Sequence, residues 1–294
     1  MHFAVLASPD SWYLKDLTRA AGQRHRISLA CFTELAARVQ IDGEAVWSAG
    51  TQLRDVDGVL VRTMPPGSLE QVVFRMDALA RLEAAGILVL NPPKAIETAV
   101  DKYLCSARLQ AAGLPVPRTI ICQTVDDAMA GFEELGQDVV IKPVFGAEGR
   151  GIARLNDEAM ALRAFKLLAD LRAVIYLQEF VPHEGCDLRV FAVGDHLLAM
   201  RRRNPLDWRT NVSRGATGEA VEISDEMARL ARASVAAVGA PVAGVDLLPA
   251  RDGRLLVIEV NAVPGWQALG RACKVDVAEL VLSYCESRVL GTAR

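Results

Sequence analysis

The sequence predicts an α/β fold that becomes α+β in its C-terminal part. Three observations lead there. Short apolar, β-branched runs alternate with longer segments of helical period over roughly the first 175 residues, as when helices pack on sheets. Glycines and prolines punctuate the joins, as at Gly22, Gly86 and the Pro92-Pro93 pair. Farther on, the runs are joined by two-residue turns, Gly194-Asp195 and Asp252-Gly253, which close antiparallel hairpins.

Residues 3–7 read as a first strand and 11–22 as a helix. Residues 59–62 form a second buried strand, 69–85 a helix stopped by Gly86, and 87–90 a third strand. This first unit, 1–97, reads as an open α/β domain, in which loops at strand C-termini form the binding crevice. Arg62 and the loop ending at Ser68 lie at such an end, so Arg62 and Ser68 are candidate substrate residues. A helix over 98–113 opens a central unit, 98–174, with strands at 119–122, 139–144 and 152–155 and helices at 125–135 and 157–169. The last unit, 175–294, carries strands at 175–181, 187–193, 196–201, 242–248 and 255–260, with helices at 224–238 and 276–289.

A chain of 294 residues, 51% hydrophobic and 23% charged, can bury a large core. Its net charge of −3 argues against a whole-surface footprint for nucleic acid. Six scattered cysteines without a C-x-x-C pair indicate reduced thiols and a cytoplasmic setting. The four histidines stand at no metal-ligand spacing, which argues against zinc. The N-terminus turns polar too soon for a signal peptide, and no apolar run could span a bilayer. Homo-oligomerisation is left open.

Four features carry chemistry. Lys142 interrupts an apolar run just before the glycine loop Phe145–Gly151, whose Gly146, Gly149 and Gly151 could bring backbone N–H groups to phosphate. The loop lacks G-K-[ST] and a following helix, so it is no Walker loop, and by itself it also reads as a flexible turn. With Lys102, it points to a polyphosphate. Glu259 and Asn261 sit two apart in the apolar run 254–265, hence on one face of a strand, and the hairpin brings Asp246 beside them. A buried carboxylate needs a cation or donors. Two carboxylates and an amide suit Mg²⁺, with Mn²⁺ as an alternative; the other reading is a carboxylate held by the arginines of 201–203. The arginine-rich stretch 201–215 could contact nucleic acid, but it leads toward the metal residues, so Arg201 and Arg214 read as substrate or phosphate clamps.

Taken in order, Lys102, Lys142, the glycine loop, Gln178-Glu179-Phe180-Val181, E-G-C-D-L-R at 184–189, W-R-T-N at 208–211, V-A-G-V-D-L-L at 242–248 and E-V-N-A-V-P-G at 259–265 resemble the ATP-grasp superfamily, and most of all its RimK-type α-L-glutamate ligases. The resemblance runs from about Asp101 to the end, and more loosely before it. It implies an ATP-grasp fold, with two lobes enclosing ATP behind an N-terminal α/β domain. It implies that Lys102 and Lys142 meet the phosphates, that Gln178, Glu179, Phe180 and Val181 line the adenine, Glu179 and Phe180 meeting it through backbone groups, and that Asp187 holds the nucleoside end. Arg209 and Asn211 would lie by the phosphates and reacting groups, and Asp246, Glu259 and Asn261 would hold magnesium. Trp266 follows Pro264-Gly265 where the family commonly has a smaller residue.

The implied reaction is ATP-dependent carboxylate–amine ligation, with L-glutamate as amine and an acyl phosphate as intermediate. Arg203, Arg209 and Asn211 are the catalytic candidates. A small-molecule acceptor such as a pterin coenzyme is favoured over a ribosomal protein C-terminus or an amino-acid carrier protein, because the acidic chain offers little attraction to ribosomal surfaces. The competing class is a non-catalytic ATP-binding regulator, which would be expected to lose Glu259 or Asn261.

Overall fold

The computed structural model describes residues 1–41, 43–146, 150–205, 207–210 and 215–292. The first sheet is built from β1 (His2–Leu6), α1 (Trp12–Ala21) and β2 (Arg26–Ala30). A small antiparallel appendix follows, β3 (Ala36–Gln40), β4 (Gly43–Ser48) and β5 (Thr51–Gln52). Then β6 (Gly58–Val61), α2 (Leu69–Ala84) and β7 (Leu88–Leu90) complete a parallel sheet in the order β2-β1-β6-β7. The expected single helix over 98–113 is instead two, α3 (Pro93–Val100) and α4 (Lys102–Ala111). They break at Asp101, whose extended backbone and Oδ1, accepting the Leu104 N–H at 3.0 Å, cap α4.

Next come β8 (Thr119–Cys122), α5 (Val125–Glu134), β9 (Val139–Lys142), β10 (Ala153–Leu155), α6 (Glu158–Asp170) and β11 (Ile175–Glu179). Their four strands form an antiparallel sheet in the order β10-β9-β11-β8. The remainder is β12 (Cys186–Val193), β13 (His196–Arg203), β14 (Thr217–Ala220), α7 (Asp225–Val238), β15 (Val242–Pro249), β16 (Leu255–Asn261), α8 (Gln267–Cys273) and α9 (Val277–Thr292), with a five-stranded antiparallel sheet ordered β14-β13-β12-β15-β16. The strands β2 to β5 and β14 and the helix α8 were not predicted. β3 and β14 are almost wholly exposed, so no alternation marks them.

Three cores hold these layers. One belongs to the β8–β11 sheet and its helices, around Phe132, Phe165 and Leu177. The other two join the first and last sheets. Alternation along β1 sends Leu6 to a core shared with Val190, Val245 and Val260, and Phe3 and Val5 to one shared with Phe191, Trp266 and Leu282. Asn91, just past β7 and buried, pins this junction. Its amide N donates to the Val242 carbonyl at 2.6 Å and the Ala262 carbonyl at 2.5 Å, and its oxygen accepts the Val242 N–H at 3.0 Å. β15 and β16 are thereby fixed to the parallel sheet.

Candidate active site

The two antiparallel sheets face each other across an open cleft of about 900 Å³, counting its solvent-filled mouth, a size that suits a nucleotide. One wall is apolar: Val140, Ile152, Phe180, Val181, Leu248 and Ile258. The Phe180 ring meets Trp208 edge-on at 5.7 Å and carries the Arg154 guanidinium 3.5 Å above its face. Asp138 holds Arg154 by two bonds of 2.7 and 2.6 Å. The backbone N–H groups of Glu179 and Phe180, expected to meet adenine, are instead given to the Arg118 and Asp138 carbonyls, which leaves only their carbonyls for that role, and the Glu179 carboxylate pairs with Arg118 at 2.8 Å.

The floor is cationic. Lys142 at the end of β9 donates to Gln178 Oε1 at 2.7 Å, and Gln178 is steadied by Thr119 and Tyr176. Burial, with Lys102 adding to it, pushes the Lys142 ammonium down to about 8, against the pull of Glu259 and Asp246. Lys102 at the start of α4 donates to the Gly146 carbonyl at 2.8 Å, tying helix to glycine loop. Gly151 has φ +71°, and a Cβ there would stand 3.1 Å from Pro143, so this end of the loop requires glycine. Gly149 lies outside the described residues.

Opposite the lysines, Asp246 and Glu259 are direct partners in the β15–β16 register. A bulge at Ile258 follows, so Ile258 and Glu259, though consecutive, both reach the cleft. Arg189 grips Asp246 at 2.7 Å to each oxygen, and Arg202 adds 2.9 Å to Oδ2. Burial alone would raise the Asp246 carboxyl, but these two arginines hold it at about 2. Arg202 also binds Asp187 at 2.7 and 2.5 Å, and Thr210 Oγ1 donates to the same carboxylate at 2.5 Å. The result is a buried network of two acids and two arginines with no net charge.

The metal reading therefore meets a rival already in place, since arginines do hold Asp246. Of about four lone-pair sites on a carboxylate, three are engaged, which leaves one on Oδ1. The Glu259 carboxylate has no hydrogen bond or ion pair among the described residues. Asn261 follows on the same face, but its Oδ1 accepts the Val263 N–H at 2.9 Å and it does not line the cleft. Among the described residues no three His, Cys, Asp or Glu side chains converge on one point. Two carboxylates fit Mg²⁺, which completes its shell with phosphate oxygens and water.

Other predicted residues fall elsewhere. Arg203 is exposed and does not line the cleft; strand alternation turns it away, and Arg202 stands where Arg203 was expected. Arg201 pairs at the surface with Glu219, at 3.2 Å. The Ser68 hydroxyl accepts the Gln71 N–H as the cap of α2, so it is spent on the helix. Arg209 does reach the cleft, held by Asp207 at 2.6 Å and donating to the Ile152 carbonyl at 3.2 Å. Asn211 and Arg214 lie outside the described residues. The reading missed Arg189 and Thr210, although Arg189 stands two after Asp187 and so shares its strand face. Arginines 201, 202 and 209 are paired with carboxylates.

Residues 99–285 match the RimK-like ATP-grasp domain. A tetrahydromethanopterin:alpha-L-glutamate ligase of Methanosarcina acetivorans is 30% identical, over 96% of this chain and 98% of that protein. A probable alpha-L-glutamate ligase of Stenotrophomonas maltophilia is 34% identical, over 97% and 98%. The solved ATP-grasp ligase PsnB, complexed with a minimal precursor, superposes with a TM-score of 0.75 at 25% identity, covering 99% of this chain and 98% of that one.

Proposed function

This chain belongs to the RimK-like ATP-grasp family, and from that premise we propose that it adds L-glutamate to the carboxylate of a small-molecule acceptor at the expense of ATP. The observation that carries this reading is the pair of lysines, Lys102 and Lys142, facing the paired carboxylates Asp246 and Glu259 across one cleft. Relatives aligned over nearly the whole chain are named glutamate ligases, one for a pterin coenzyme, which supports glutamate as amine and a pterin-like acceptor. The division of labour we infer follows the units 1–97, 98–174 and 175–294: acceptor and amine at the first, phosphate grip at the second, metal and nucleoside contacts at the third. Six free cysteines support a cytoplasmic setting, and among the described residues no helix is long and apolar enough to cross a membrane.

An acceptor carboxylate oxygen attacks the γ-phosphorus and ADP leaves, giving an acyl phosphate. The glutamate amine then attacks the acyl carbon, loses a proton and expels phosphate. Lys142 and Lys102 hold and neutralise phosphate oxygens. Asp246 and Glu259 would hold magnesium, with Asn261 beside them, and the ion would offset charge developing on the phosphates. Arg189 and Arg202 keep Asp246 ionised and aimed. Arg209, which lines the cleft, and Asn211 two residues on in sequence remain our candidates for the reacting groups. The apolar wall around Phe180 and Ile258 receives the adenine ring and excludes water.

The test is ADP release with ATP, Mg²⁺, L-glutamate and a panel of carboxylate acceptors (pterin coenzymes, protein tails, free amino acids), with product read by mass. Glu259→Gln keeps its circular dichroism and loses Mg²⁺-dependent ADP release. Near-normal turnover in that variant would refute the assignment.

A further inference from the structure

We infer that Arg62 binds the α-carboxylate of the incoming amino acid, the amine donor, and that Tyr13 supports it. The inference rests on the ligase reading above. Arg62 stands at the C-terminal end of β6, its N–H extending the sheet to the Leu6 carbonyl. Its guanidinium lies 4.2 Å from the Trp266 ring centroid and 4.8 Å from that of Tyr13. It gives one bond, from Nη2 to the Pro264 carbonyl at 2.6 Å. Its Nε is sealed from solvent and has no partner. Among the described residues it pairs with no carboxylate, whereas Arg189 and Arg202, on the neighbouring sheet, each hold one at 2.7 Å. A partly buried guanidinium with one nitrogen sealed from water is costly unless an anion and hydrogen bonds satisfy the rest.

Its position makes that anion a substrate. A Cβ on Gly244 would lie 3.3 Å from Pro264 and 3.4 Å from Arg189 Nε, so Pro264 and Arg189 crowd the same glycine. Arg62 is thus one proline removed from the arginine that clamps Asp246. A Cβ on Gly265 would lie 2.5 Å from the Tyr13 hydroxyl, so only glycine admits that hydroxyl against the same loop. With aromatic faces on the guanidinium, Nε sealed and one Nη2 hydrogen given to Pro264, the end left for a planar, bidentate ligand is Nη1 with the second hydrogen of Nη2.

The phosphates are already served by Lys102 and Lys142. A carboxylate held in a guanidinium fork has its charge neutralised and two of its lone pairs engaged, which weakens it as a nucleophile and suits it to anchoring. This disfavours the acceptor carboxylate, which must attack phosphorus. It fits a carboxylate that survives the reaction, and the one a single carbon from the amine orients that amine best.

The experiment compares L-glutamate with L-isoglutamine, its α-carboxamide, in ADP-release kinetics and in calorimetric binding to protein loaded with Mg²⁺ and a non-hydrolysable ATP analogue. Wild type prefers L-glutamate by about 10- to 100-fold, the range for a charge-assisted fork. Arg62→Ala raises the glutamate KM by a similar factor, leaves the ATP KM within about twofold, and erases the preference over isoglutamine; Arg62→Lys falls between. Equal use of the two amino acids by wild type, or a parallel rise of both KM values in Arg62→Ala, overturns the inference. Absence of turnover with every acceptor instead sinks the ligase reading, while the binding comparison still tests Arg62.

Discussion

Replacing Lys142 by methionine should stabilise the protein while disabling nucleotide binding. Moving an ammonium from 10.5 to about 8 costs about 3 kcal/mol at roughly 1.4 kcal/mol per pKa unit. The side chain keeps some surface, so solvent screening lowers this to about 2 kcal/mol. Losing the bond to Gln178 returns about 1 kcal/mol. The expected gain at pH 7 is therefore about 1 kcal/mol, measured by urea unfolding. The sign follows from linkage. Between pH 8 and 10.5 the unfolded chain holds a proton that the folded protein has released, so wild-type stability rises across that window and the gap to Lys142→Met closes. Binding should respond in the opposite sense. Lys142 loses its charge as pH rises through about 8, so ATP affinity falls there and binding takes up a proton, seen by calorimetry in buffers of different ionisation enthalpy. A variant that is less stable than wild type at pH 7, or that binds ATP equally well, refutes the reasoning.

Asn91→Ala strands the Val242 N–H and carbonyl and the Ala262 carbonyl in a buried junction, and should cost about 3–5 kcal/mol in chemical denaturation. Ser68→Ala removes a helix cap and should lower stability by about 1 kcal/mol, with every KM within about twofold of wild type. A selective rise in one substrate's KM would return Ser68 to the site.

Much of the architecture was legible because apolar period and turn chemistry agree. The strands now labelled β1, β6, β9, β11, β12, β15 and β16 are apolar runs bounded by glycine, proline or a hairpin pair, and each was found within a few residues. β3 and β14 were not, since exposed edge strands carry no burial pattern to read. The site residues split in the same way. Lys142, Asp246 and Glu259 announce themselves as charges inside apolar runs. Asn91 and Ser68 look like ordinary turn residues, and only the fold reveals that one pins two sheets while the other caps a helix.

The misplaced arginine has a sharper lesson, because the sequence held the means to avoid it. Gly194-Asp195 is a two-residue turn, so Val193 must face His196, and stepping back along both strands sets Asp187 opposite Arg202. Arg203 then belongs to the opposite face. The same reasoning applied to Asp252-Gly253 places Asp246 opposite Glu259, which is observed, although by a less direct route. The loop between Pro249 and Leu255 is longer than two residues and throws the register off by one; the bulge at Ile258 restores it. That correction is what turns Ile258 into the cleft beside Glu259. An apolar contact for the base and a carboxylate for the phosphate end thus come from adjacent residues, an arrangement that a regular strand, with its strict alternation, could not present.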